Sequence, residues 1–108
     1  MIKSYNFTKK DEINSTSSTP LQNAKGEKIT VKGAAITERT DKDTGENKRV
    51  GLVSTIEYGV MSTISGTAND ALDLIIDYME SEKVETVEVN VKSNTSRGGR
   101  EFITLELL

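Results

Sequence analysis

Apolar and polar residues alternate with a period of two along several stretches of this chain, and in one stretch they repeat at helical spacing. In VETVEVNVK, Val87, Val89 and Val91 fall on one side while Glu88, Asn90 and Lys92 fall on the other, the pattern of a strand with one wet face. SNTSRGG follows as a turn. The closing SRGGREFITLELL then returns as a strand with Ile103, Leu105 and Leu107 on one face and Phe102, Thr104 and Glu106 on the other, which predicts a hairpin. An earlier hairpin is predicted from KITVKGAAITER, residues 28–39, the turn formers TDKDTGEN around Gly45, and KRVGLVSTIEY with Val50, Leu52 and Ile56 alternating. Gly33 beside Ala34 and Ala35 marks a bulge or tight bend in the first of these strands.

TANDALDLIIDYMESE predicts a helix over residues 67–82. Thr67 is placed to cap it and Asp70 stands three residues on. Leu72, Ile75, Ile76 and Met79 share the buried face, with Asp70, Asp73, Asp77 and Glu80 opposite. At the start of the chain, IKSYNFT reads as a short strand with Tyr5 and Phe7 on one face. Residues 9–27 are rich in Ser, Thr, Asn and Lys and hold the only proline, so they read as a flexible loop or arm.

The resulting order, β-β-β-α-β-β, is that of an OB-fold, a mainly β, small five-stranded barrel with one helix whose open face and loops bind oligonucleotides or oligosaccharides. The alternative architecture is a four-stranded antiparallel sheet covered by one helix. At 108 residues the expectation is a single domain, 1–108.

Composition narrows the function classes. The chain has no cysteine and no histidine, which removes disulfides, thiolate nucleophiles and the commonest general base and metal ligands. No enzyme, metal or cofactor is expected. DKDTGE resembles a calcium loop only superficially, because its glycine comes one position early and Leu52 occupies the twelfth position. SGT and RGG lack the lysine and spacing of a phosphate loop. No apolar run reaches membrane-spanning length and the first residues lack a signal-peptide core, so the expected setting is cytoplasmic, with no membrane partner.

The formal charge is −3, but its distribution matters more than its sum. Five of the 17 acidic residues lie on the predicted helix, which carries no base. The remaining chain has a small positive surplus, compatible with a weak polyanion groove.

Phe102 is then the informative residue, because a strand aromatic on the polar face offers a platform on which any base can stack. Its other reading is cover for a helix or a neighbouring subunit. Tyr58, near the end of the first hairpin, is the second stacking candidate. Lys92, Arg97 and Arg100 surround the last hairpin, and Arg39 and Arg49 belong to the first, so these five are the candidate phosphate contacts.

The C-terminal half also resembles a family. Asp73, Leu74 and Ile75 in the helix, Val84, Glu85 and Thr86 entering a valine-alternating strand, Ser96, Arg97 and Gly98 in the turn, and Phe102, Leu105 and Leu107 in the last strand resemble the single-stranded DNA-binding proteins of small protein-primed phages of Gram-positive bacteria, the phi-29 group. The resemblance implies a bacteriophage protein that coats single-stranded DNA during DNA replication, without strong sequence preference and with aromatic contacts. Its implied partners are single-stranded DNA and replication proteins in the host cell cytoplasm, and a small core with an N-terminal arm adds the expectation of a homo-oligomer. The N-terminal half departs from the family pattern in its Ser/Thr-rich arm and in the position of Tyr58. A competing reading is a small protein-binding module, such as a phage inhibitor of a host protein, that uses the YNF segment.

Overall fold

The longest strand organises the molecule. In the computed structural model, which describes residues 2–108, strand β3 (Lys28–Thr40) runs for 13 residues. It pairs antiparallel along most of its length with β4 (Asn47–Thr55). On its other edge the first half pairs with β6 (Val87–Thr95) and the second half with β1 (Lys3–Tyr5). Such sharing requires the strand to bend. The register slips between Val31 and Gly33, so the glycine-marked bulge of the sequence reading is present and lets the sheet curl.

The sheet continues from β4 to β5 (Gly59–Thr63) and from β6 to β7 (Glu101–Leu107). Helix α2 (Gly66–Glu82) connects β5 to β6. The series β3-β4-β5-α2-β6-β7 therefore has the OB-fold order, in a mainly β structure whose sheet curls into a half-barrel. Seven strands take part among the described residues, because β1 and β2 (Thr19–Pro20) are added. The third barrel strand is β5, which the sequence reading merged with the first hairpin, and the N-terminal strand lies outside the barrel series. Ile56 correspondingly leaves the sheet and is 64% exposed in the β4–β5 turn.

One core fills the concave side. Ala34, Ile36 and Val53 from β3 and β4, Val89 and Val91 from β6, Ile103 and Leu105 from β7, and Leu72, Ile75, Ile76 and Met79 from α2 meet there. The helical and β periodicities are thus satisfied against each other. Val50 and Leu52 belong to the opposite face of β4 and pack with Ala35 under Phe7, so both faces of β4 are buried and its alternation is blurred.

The N-terminal segment produces that second layer. Tyr5 faces the main core and donates its hydroxyl to the carbonyl of Val84 at 3.3 Å. Asn6 then takes a left-handed conformation, φ 53°, which sends Phe7 to the other face of the sheet. A Cβ on Gly33 would run into the Asn6 carbonyl, so this crossing needs glycine there.

Residues 9–27, expected as a loop or arm, contain helix α1 (Lys9–Asn14), two 3-10 turns and β2. Thr8 caps α1 in a reciprocal box with Asp11. Asp11 is itself 6% exposed and accepts a hydrogen bond from the Ser54 hydroxyl at 2.9 Å. Strand β2 pairs parallel with β5. The next turn then inserts Leu21 and Ala24 into the main core.

Candidate nucleic-acid interface

Strands β5 and β7 do not pair with each other, and the barrel is left open along that seam. The N-terminal segment occupies part of the gap, since the Leu21–Ala24 turn touches both β5 and β6. Outside this plug lies a groove of about 760 Å³. Pro20 and Leu21, the β5–α2 connection, and Arg100, Phe102 and Ile103 line it. Its apolar surfaces are interleaved with the hydroxyls of Ser62, Thr63, Ser65, Thr67 and Ser96.

The turn between β5 and α2 is firmly held. Helix α2 is capped by Ser65, which accepts from the Ala68 N–H, and not by Thr67 as the spacing suggested. The helix starts one residue earlier, freeing Thr67 to donate its hydroxyl to the Ile103 carbonyl at 2.8 Å. The Ser65 hydroxyl reaches the same carbonyl at 3.0 Å. Those bonds tie the start of α2 to β7.

Phe102 lies opposite Asn94 in the β6–β7 pair, on the face away from the core. It is half-buried and lines the groove. Arg100 precedes it and lines the same groove. Lys92, opposite Thr104 on the same outer face, is held by an ion pair with Glu106. The Lys92 ammonium keeps the Glu106 carboxyl below its ordinary range. Arg97 sits exposed in the β6–β7 turn and forms no ion pair among the described residues. Lys25 hydrogen-bonds to Glu101 at the edge of the groove, and that bond lowers the Glu101 carboxyl.

A second, smaller cavity of about 350 Å³ lies between the β3–β4 hairpin and the start of α2, lined by Lys48, Arg49, Glu38 and Asn69. Ile64 and Gly66 border both cavities. Arg39 stands opposite Lys48 on the same hairpin and lines neither cavity. The fold thus gathers Phe102, Arg100 and Arg49 around the β5–α2 connection, while Lys92 and Arg97 lie on the last hairpin and line neither cavity.

Tyr58 is elsewhere. It lies in the turn before β5, at the opposite end of that strand from Ser62 and Thr63. Its hydroxyl donates to the Glu27 carboxylate at 2.8 Å, and this bond raises the phenol above its ordinary range. The hydroxyl residues and Ile64 were not singled out in the sequence. The one available signal was STISGT itself, in which Ile64 is a lone large apolar residue among small polar ones.

No helix among the described residues is long and apolar enough to cross a membrane. No curated protein and no solved structure matches the chain. A family model described as phage single-stranded DNA-binding protein does match, over residues 2–108. That match takes in the N-terminal segment as well as the C-terminal half whose motifs first suggested the resemblance. The chain therefore belongs to the phi29-type family of phage single-stranded DNA-binding proteins, and its role is to bind single-stranded DNA in phage replication.

Proposed function

We propose that this protein coats displaced single strands without sequence preference, seating the strand in the seam groove between the N-terminal segment and β7. The observation that carries this reading is Phe102, an aromatic on the outer face of β7 that lines an open groove beside Arg100. A base stacked on that ring contributes roughly 1 to 3 kcal/mol whatever its identity. Arg100 and Arg97 meet phosphates on the β6–β7 side, with Lys92 reaching them on exchange from Glu106. The groove hydroxyls, of which Ser65 and Thr67 already donate to Ile103, offer acceptor oxygens that accommodate different bases and sugars. Tyr58 and Arg39, outside the groove, act only on a longer strand or on a neighbouring copy.

The acidic helix α2 sets the orientation. Its surplus of carboxylates, offset only in part by Lys3 against Asp73 and Asp77, repels the backbone from that side, so the strand is confined to the seam and the last hairpin. In this reading the protein is a binder with no catalytic step, working in the host cytoplasm beside replication proteins and other copies of itself.

Titration of labelled oligo-dT by anisotropy at several salt concentrations tests the reading. Phe102→Ala weakens binding by roughly 5- to 150-fold at every salt concentration. Arg100→Ala reduces the magnitude of the logarithmic salt slope by about one. Full affinity in Phe102→Ala contradicts the groove.

A further inference from the structure

Ile64 is 69% exposed, second only to Leu74 in exposure among the large apolar side chains of the described residues. A single exposed isoleucine ordinarily needs no explanation, but this one stands on the ridge between two cavities. The large groove with Phe102 lies on one side and the smaller cavity with Lys48 and Arg49 on the other. The ridge is rigidly presented. Ser65 donates its N–H to the Thr63 hydroxyl at 3.1 Å, and its own hydroxyl is fixed to Ile103. Gly66, next to it, has open space where a Cβ would project.

From this arrangement we infer that the bound strand does not end at Phe102 but crosses the β5–α2 turn into the smaller cavity, with Ile64 packing against a base at the crossing and Arg49 taking the next phosphate. This rests on the groove reading above and extends it to a defined path and a second contact site. The chemistry required is that of single-stranded nucleic acid, a flat apolar face next to an anion. Ile64 in the β5–α2 turn and Arg49 on β4 supply complements to both around the smaller cavity.

Arg49 is not idle in the free protein. Its guanidinium lies 3.5 Å from the Asp70 carboxylate, with side-chain exposures of 43% and 76%. An exposed pair of this kind is weak and screened by salt, so a phosphate can replace Asp70. Asp70 is therefore a competitor that limits affinity at this end of the strand. Glu38, which also lines the smaller cavity, keeps the site from becoming strongly cationic.

Oligo-dT of graded lengths separates the two readings. Ile64→Ser is expected to lower affinity roughly tenfold for long oligomers and to shorten the occluded length, with less effect on oligomers too short to pass the ridge. Asp70→Asn is expected to tighten binding by about two- to fivefold at low salt by releasing Arg49. Both side chains are exposed, so unchanged thermal melts serve as the folding control. Wild-type affinity and site size in Ile64→Ser, together with no gain in Asp70→Asn, would overturn the path while a sensitive Phe102→Ala left the groove standing. Insensitivity of Phe102→Ala would remove the groove itself.

Discussion

The N-terminal segment and the β6–β7 hairpin differ in almost every respect that a sequence displays. The hairpin alternates valine with polar residues and then isoleucine and leucine with polar residues, and its buried and exposed positions follow that alternation. The segment over residues 6–27 is mostly polar, yet it crosses the sheet at Gly33, covers β4 with Phe7, and fills the core with Leu21 and Ala24. What distinguishes them is the number of anchors. A hairpin buries a repeating face, whereas a segment plugging a seam needs a few side chains at the right places, and a few leave no period to detect.

Removing one anchor measures how firmly the segment is held. Leu21 is 1% exposed within the main core, and Leu21→Ala is expected to destabilise the protein by about 2 to 5 kcal/mol through lost contacts and a cavity. Denaturant unfolding measures the change. A loss below about 1 kcal/mol would mean that the segment is held loosely and that its burial contributes little.

Asp11 offers a smaller and pH-dependent test. Burial raises its carboxyl, but hydrogen bonds from the Thr8 N–H and the Ser54 hydroxyl, with Lys32 nearby, outweigh that effect and leave it lowered. A carboxyl lowered on folding contributes stability above its unfolded value, near pH 4, and loses that contribution as pH falls through the folded value. Asp11→Ala is therefore expected to cost about 1 to 3 kcal/mol at pH 7. The gap between variant and wild type should narrow in acid, as followed by thermal melts at stepped pH. A constant gap across the acid range would place the stabilisation in packing and not in the charge.

Much of the fold was legible where the apolar period was clean. The bulge at Gly33, the buried face of α2 and both hairpins follow from side-chain alternation and turn residues. The misplaced elements have local causes. Strand β5 was hidden because Ile56, Glu57 and Tyr58 resemble a continuing strand although they form the turn, and the cap lies at Ser65 because the helix already begins at Gly66, which places Thr67 inside its first turn. Asn6 defeated the reading of Tyr5 and Phe7 as one face, since a single left-handed residue reverses the alternation.

The candidate site was legible residue by residue but not as a place. Phe102 could be singled out because it violated the polar face of its strand. The groove around it depends on an unpaired seam between β5 and β7 that no local pattern encodes. Ile64 became meaningful only through its position between the two cavities, and Tyr58, equally aromatic in sequence, stands at the far end of β5.

Mapping backbone amide shifts on addition of oligo-dT reports where the strand lies without altering the protein. Shifts are expected to concentrate at Ser62–Thr67 and Ser96–Ile103 and to extend to Lys48 and Arg49 with longer oligomers, with a quiet outer face of α2 around Leu74 and Tyr78. Shifts centred on α2 or on the Tyr58 turn, with Phe102 and its neighbours unmoved, would contradict binding in the seam groove.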